Sequence, residues 1–258
     1  VTGSSGSPGG AGGGADPALD ALLDRAVWHA LTGPQAHLAR RCGRAVAYQP
    51  DVAAFGALPP DPEPDDWRDA AALVGPGGVL VLTGDVPPLP ADWSVVTDIP
   101  GVQLVADDDG PVVTAADPEA VRLGPDDVEE MTDLVRRTEP GPFLPRTVEM
   151  GTYLGVRRSG RLVAMAGERL HPATGGRGAT EISAVCTDAA WRGQGLGRRL
   201  VLAVAHGVRE RGEVPFLHAA AANTGAVRLY EHLGFRLRRT TRFAVLTPPQ
   251  AVQTHDGL

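Results

Sequence analysis

The chain has 258 residues, 43% hydrophobic and 21% charged, with a formal net charge of -7. That balance fits a soluble globular chain of one large or two modest domains, and the negative charge excludes a general nucleic-acid-binding surface, which needs clustered Lys and Arg. No apolar run approaches the ~20 residues of a membrane span, and the N-terminus shows neither a basic nor an apolar leader region. Cys42 and Cys186 lack C-x-x-C spacing, so neither a zinc site nor a disulfide framework is indicated. A reduced, cytoplasmic protein without metal is expected, with neither a membrane nor a nucleic acid as partner.

In chain order, residues 1–16 are mostly Gly, Ser, Ala and Pro and read as a disordered tail. Leu19, Leu22, Leu23, Ala26 and Val27 then recur at helical steps from Pro17 to Leu31, where Gly33-Pro34 stops the helix. Short β-like runs follow at 44–48, 78–82, 94–97 and 102–105, which together make residues 17–112 an N-terminal α+β unit. The polar turn Ala106-Asp107-Asp108-Asp109-Gly110-Pro111 sets a boundary, and residues 117–247 form a second unit, followed by a tail at 248–258.

The second unit begins with a strand at 121–123 and a helix opened by Pro125-Asp126-Asp127, with Arg136 and Arg137 in its last turn as the helix dipole favours. A hairpin at 153–157 and 161–168 turns on Arg158-Ser159-Gly160. A strand at 180–187, a helix at 193–211, a strand at 214–219, a helix at 223–233 and a closing strand at 235–246 complete it.

The chemistry concentrates where the 180–187 strand runs into Arg192-Gly193-Gln194-Gly195-Leu196-Gly197. Glycines there let backbone N–H groups approach an anion at the positive end of a helix, a cradle for pyrophosphate, and Arg192, Arg198 and Arg199 add charge. A P-loop would need Lys followed by Ser or Thr where Arg198-Arg199 stands, and a dinucleotide fold would need an acid at the end of the next strand, which reads His218-Ala219-Ala220. Glycines serving only a tight strand-to-helix turn remain the plain alternative.

Arg192-x-x-Gly195-x-Gly197, with Asn223, Ala226, Tyr230, Gly234 and Phe235 downstream, resembles the acyl-CoA motif and the later Asn–Tyr signature of the GNAT N-acetyltransferase superfamily, most of all its branch of glycine-acyltransferase-like proteins. The resemblance covers about half the chain, from Asp117 to Leu246. Members of that branch can carry a degenerate GNAT-like N-terminal half, and residues 17–112 are read as a candidate for one.

The resemblance implies an α/β fold, with a mixed, mostly antiparallel sheet flanked by helices. It implies acetyl-CoA as acyl donor, no metal, and acetyl transfer to a small-molecule or peptide amine by direct attack in a ternary complex. Val185, Cys186 and Thr187 would lie along the pantetheine arm, with Gly193, Gln194, Gly195, Leu196, Gly197 and Arg198 on the pyrophosphate and Asn223 on the pantetheine. Tyr230 would protonate the leaving thiolate; the plain alternatives are a core aromatic for Tyr230 and a helix cap for Asn223.

An amine with pKa ~10.4 is mostly protonated near neutrality, so a base is needed. Glu181 and His218 are both candidates, beside plainer readings as a salt-bridged Glu and a core His. A two-residue period puts Glu181, Ser183, Val185 and Thr187 on one face, with Cys186 on the other. The proline-rich loop 138–146 offers Glu139, Phe143 and Arg146 as acceptor contacts, or is simply a connection. A CoA-binding regulatory module without catalysis is the rival function.

Overall fold

The computed structural model describes residues 16–106 and 116–249; both terminal tails, apart from Asp16 and residues 248–249, and the boundary turn from Asp107 onward lie outside them. Asp16 caps α1 (Pro17–Asp24) by accepting from the amides of Ala18 and Leu19. The expected single helix breaks at Arg25, whose guanidinium donates to the Leu58 carbonyl at 2.6 Å, and resumes as α2 (Ala26–Leu31). A small antiparallel sheet of β1 (Ala39–Cys42), β2 (Ala45–Tyr48) and β3 (Gly56–Ala57) follows, then α3 (Pro64–Val74).

The remaining strands are β4 (Leu80–Thr83), β5 (Ser94–Ala106), β6 (Val121–Leu123), β7 (Tyr153–Arg158), β8 (Arg161–Glu168), β9 (Ala173–Thr174), β10 (Arg177–Thr187), β11 (Val214–Ala220) and β12 (Phe235–Thr247). They form one sheet in the order β4-β12-β5-β11-β10-β8-β7-β6, with β9 hairpinned onto β10. Helices α4 (Val128–Thr138), α5 (Leu196–Glu210) and α6 (Thr224–His232) complete the chain.

The boundary expected near residue 112 does not divide this sheet. β5, from the N-terminal side, is hydrogen-bonded between β11 and β12, and β4 extends the edge. The two short runs expected at 94–97 and 102–105 are one strand, continuous through Pro100. Proline is tolerated there because the β11 partner begins only at Gly101, so the Pro100 nitrogen faces no ladder acceptor on that side.

All pairings in the large sheet are antiparallel except one: β10 and β11 run parallel, paired only at Ala179–Glu181 with Val214–Phe216. Beyond Glu181 and Phe216 the two strands part. One face of the sheet is packed by α5 and α6 through Leu196, Leu200, Val204, Leu217, Tyr230 and Phe235. The other is covered by α1 and α2 beside β11, where Leu22 and Leu23 meet Phe216, and by Met131 and Leu134 of α4 near Tyr153 and Cys186.

Candidate active site

Two β-bulges aim the site. In β10, Ser183 pairs with Gly167 and Cys186 with Met165, so Ala184 and Val185 together face the single residue Ala166, and Ala184 takes φ 53°. An extra residue reverses the alternation of faces. Val185 therefore packs with the α5-side core and Cys186 with the α4 side. The expected single face of Glu181, Ser183, Val185 and Thr187 is thus corrected: Val185 joins Ile182 on the α5 side, opposite Glu181. The same shift turns the Val185 backbone toward the gap, since Asp188 N–H bonds the Val163 carbonyl and Cys186 faces β8.

Past the strand, the turn positions an anion site. Gly193 and Gly195 have φ of 78° and 74°, a region that disfavours any side chain, and Gly195 starts α5 without a side-chain cap. Among the described residues no acceptor bonds the amides of Gly193, Gln194, Gly195, Leu196, Gly197 or Arg198. Six consecutive free donors at a positive helix end suit a pyrophosphate. A Cβ on Gly197 would meet only ordinary contacts, at 3.7 Å from Thr187 Oγ1 and 3.9 Å from Val185 Cγ1, so its close packing requirement is not toward the protein itself.

Arg192 and Arg198 are exposed beside this turn, Arg192 donating to the Thr187 carbonyl at 3.2 Å. Arg199, expected to share the phosphate charge, is instead held by Asp117 at 2.6 and 2.7 Å and by Glu119 at 2.6 Å. Asn223 caps α6, accepting from the Ala226 amide at 3.1 Å, so its carbonyl oxygen is used locally. Tyr230 stands on α6 in the α5-side core, its ring edge-on to Phe235 at 6.3 Å. Burial pushes its phenol up to about 12.

On the opposite face the opening is bridged by Glu181 and His218, each side chain 6% exposed, with His218 Nδ1 2.9 Å from Glu181 Oε1. His218 pairs across strands with Gln103, whose Nε2 lies 2.9 Å from His218 Nε2. Gln103 Oε1 accepts from Arg238 Nη1 at 2.5 Å, and its Nε2 also donates to the Leu23 carbonyl at 3.1 Å. Arg238 is the extra residue of the second bulge, in β12 between Leu237 and Arg239, and is anchored by Asp20 and Asp24.

Those bonds assign the protons. The Gln103 amide donates to His218 Nε2, so the imidazole carries its hydrogen on Nδ1 and gives it to Glu181. Burial works to raise the Glu181 carboxyl, but the His218 hydrogen bond and the nearby Arg169 guanidinium outweigh it and hold the group below the ordinary carboxylate value. Among the described residues Glu181 Oε2 has no partner, and neither has the fully buried Tyr153 hydroxyl.

The 138–146 loop meets the N-terminal part of the chain. Phe143 stacks edge-on to Tyr153 at 5.7 Å and packs against the core cluster on the α4 side. Arg146 does not face the opening freely: it binds Glu149 at 2.7 Å and Gln49 at 2.6 Å, and its amide bonds the Asp51 carbonyl. Glu139 forms the left-handed end of α4, φ 48°, with its side chain exposed. Gln103, Arg238, Arg169 and Tyr153 were not singled out by the sequence; Arg238 matters through a bulge and Gln103 through a strand that the N-terminal part contributes, and neither leaves a motif.

A parallel strand pair that splays beside an uncapped glycine turn, with a mixed sheet between two helical layers, is the frame of a GNAT-type acyltransferase. The family model for FR47-like proteins matches residues 153–244, from β7 into β12. A crystal structure assigned to the GNAT acetyltransferase family, from Novosphingobium aromaticivorans, is 41% identical, covers 88% of this chain and 98% of its own, and superposes with a TM-score of 0.78. The chain belongs to the GNAT acetyltransferase family. A GCN5-related N-acetyltransferase from Kribbella flavida shares the fold at 20% identity, with a TM-score of 0.56 over 86% of this chain and 94% of its own.

Among curated relatives, the mycothiol acetyltransferase of Thermobispora bispora is 41% identical over 108 residues, 41% of this chain and 35% of that protein. That of Nocardiopsis dassonvillei is 32% identical over 126 residues, 46% of this chain and 36% of that protein. The chain thus matches about a third of the length of these relatives. Among the described residues no helix is long and apolar enough to cross a membrane.

Proposed function

We propose that the protein transfers acetyl from acetyl-CoA to a primary amine by direct attack in a ternary complex. The observation that carries this reading is the turn of six unbonded amides beside the point where β10 and β11 part, with a buried carboxylate, Glu181, on one face of the sheet and a buried phenol, Tyr230, in the core of the other. Acetyl-CoA supplies an activated thioester. Gly193 to Arg198 bind its pyrophosphate, with Arg192 and Arg198 adding charge, and Val185 and Thr187 offer backbone groups along the opening like an extra strand edge.

The chain's own groups then divide the proton work. The acceptor binds as its neutral amine. As nitrogen attacks the thioester, Glu181 Oε2 receives the proton that the new ammonium centre releases on one face, while His218 holds Oε1 and fixes the carboxylate's orientation. The backbone of Val185, aimed into the gap by the bulge, meets charge developing on the thioester oxygen. Tyr230, protonated at neutral pH, donates to the departing sulfur on the other face. With a phenol at about 12 and a thiol nearer ~8.5, this donation stabilises the thiolate as a hydrogen bond rather than by complete transfer. Cys186 lies on the α4 side with its thiol pushed up by burial to about 11 and takes no part.

Thermal-shift titration with acetyl-CoA, CoA and NADH, followed by thiol release against a panel of amines that includes the acceptor type of the mycothiol enzymes, tests the reading. Stabilisation by acetyl-CoA and CoA but not NADH, with amine-dependent thiol release, is expected. Absence of acetyl-CoA binding would sink it.

A further inference from the structure

Gln103 comes from β5, on the N-terminal side of the chain, yet it stands opposite His218 of β11 and is itself only 3% exposed. Both hydrogens of its amide are used. Nε2 meets His218 Nε2 at 2.9 Å and donates to the Leu23 carbonyl of α1 at 3.1 Å, while Oε1 accepts from Arg238 Nη1 at 2.5 Å.

Two of these partners leave no choice of orientation. Arg238 can only donate and the Leu23 carbonyl can only accept, so the amide oxygen must face the guanidinium and the amide nitrogen must face α1. The remaining hydrogen on Gln103 Nε2 then points at His218 Nε2, which is therefore the bare ring nitrogen. The ring's own hydrogen lies on Nδ1, 2.9 Å from Glu181 Oε1. Asp20 and Asp24 of α1 hold Arg238 in turn. The rings of Phe216 and Phe243 meet the imidazole nearly at right angles, at 5.6 and 5.8 Å, so packing fixes its plane as well.

The reversed arrangement shows what this orientation does. An amide oxygen turned toward His218 would draw a hydrogen onto Nε2. Nδ1 would then face the Glu181 carboxylate either with a lone pair, which repels it, or with a second proton, whose charge stabilises the carboxylate and weakens it as a base. Only the observed orientation leaves an ionised Glu181 held by a neutral donor.

We infer that Gln103 is a positioning residue for acetyl transfer, acting through His218 by keeping the ring's hydrogen on the nitrogen that faces Glu181; the role rests on the acetyl-transfer reading and deepens it. Glu181, His218 and Arg238 fall inside residues 153–244, the stretch matched by the FR47-like family model, whereas Asp20, Leu23, Asp24 and Gln103 all precede it. The N-terminal part is thereby a working half of the site, because a side chain that it supplies sets the proton of the histidine beside the base.

The test uses the full chain. Heteronuclear NMR of the histidine ring nitrogens, with His218 assigned by the signals lost in His218→Asn, reads the tautomer directly. In the parent, Nδ1 should give the signal of a protonated nitrogen and Nε2 that of a bare one. Gln103→Glu keeps an acceptor for Arg238 and offers a second one to His218, so the Nε2 signal should move to that of a protonated nitrogen. Gln103→Leu should lower kcat by about tenfold, with the acceptor's KM and the acetyl-CoA Kd within about twofold. That loss should vanish in the His218→Asn background, because a residue that acts through the ring then has nothing left to hold. If the variants fold poorly, the parent spectrum still decides.

A hydrogen on His218 Nε2 in the parent overturns the inference, as does a Gln103→Leu loss of equal size in the His218→Asn background; either leaves acetyl transfer intact. A parent chain that binds acetyl-CoA but releases no thiol with any amine would sink the transferase reading, and the catalytic role of Gln103 with it, whatever tautomer the ring shows.

Discussion

His218 Nδ1 lies 2.9 Å from Glu181 Oε1 across the point where β10 and β11 part, and the ring's other nitrogen is spoken for by Gln103. The histidine is therefore arranged to hold the glutamate rather than to replace it. Glu181→Gln should lower kcat/KM by roughly 10²–10³, the usual worth of a positioned base, with acetyl-CoA stabilisation unchanged. His218→Asn should lose less, on the order of tenfold. Equal losses would mean that the imidazole itself takes the proton.

The pH profile follows from the same pair. Glu181 is held below the ordinary carboxylate value, so it stays ionised throughout the range near neutrality and adds no titration there. The rising limb of kcat/KM should belong to the acceptor's ammonium, climbing about tenfold per pH unit toward that group's own pKa. Profiles measured with two acceptors whose amines differ by about two pKa units should be displaced by the same amount. A limb that stays in place would assign it to an enzyme group and refute the assignment of protons made for Glu181.

Tyr230→Phe should reduce kcat while leaving acetyl-CoA affinity near that of the parent, because the phenol is asked to act only as the sulfur leaves. Its position at about 12 further requires that kcat show no alkaline decline from this group between pH 7 and 10. Single-turnover thiol release measures both, and a variant with undiminished kcat would return Tyr230 to the role of a core aromatic.

Gly195 and Gly197 of the turn should separate. Gly195→Ala forces a side chain into φ 74° and should cost about 1–2 kcal/mol of stability. Gly197→Ala meets nothing closer than 3.7 Å, so its unfolding midpoint should not fall, while its acetyl-CoA Kd should rise at least about tenfold as the methyl blocks the backbone's approach to phosphate. Denaturant melts with and without acetyl-CoA distinguish the two. Unchanged affinity in Gly197→Ala would remove the pyrophosphate from this turn.

The sequence made the turn, the strand before it and the Asn–Tyr helix legible because each is local: the glycines at positive φ adjoin the start of α5, and the Asn223 cap adjoins the helix that carries Tyr230. The partners of the site were not legible for the opposite reason. Gln103 reaches His218 only because β5 inserts between β11 and β12, a pairing over 115 residues of separation that no periodicity announces. The Ala184 bulge was equally silent, since Glu181 to Thr187 reads as an unbroken alternation, and one uncounted residue moved Val185 to the other face. Helix Pro17–Leu31 was found by its apolar stripe but not its break at Arg25, whose guanidinium reaches the Leu58 carbonyl, 33 residues on.

Cys186 gives a prediction for the native fold as a whole. A thiol held at about 11 by burial is almost entirely protonated at about pH 8, so alkylation there should be negligible until the protein unfolds. Cys186→Ala should retain most of the transferase activity. An acetylated Cys186 in quenched reactions, found by mass spectrometry, would contradict direct transfer.

The last prediction concerns Arg238, 8% exposed and placed by the β12 bulge between Asp20, Asp24 and Gln103. Arg238→Met removes this donor from Asp20 and the Gln103 oxygen, while Asp24 keeps Arg239, and should cost about 1–2 kcal/mol, read as a lower denaturation midpoint. It also frees Gln103 to rotate its amide, and a carbonyl turned toward His218 Nε2 would favour a proton there and weaken the donation from Nδ1 to Glu181. Arg238→Met should thus lose activity beyond what its unfolded fraction explains, and Arg238→Lys, which keeps the charge but not the planar fork, should recover more stability than activity. If stability and activity fall in proportion in both variants, Arg238 is only a clasp for α1, and the alignment of His218 does not depend on it.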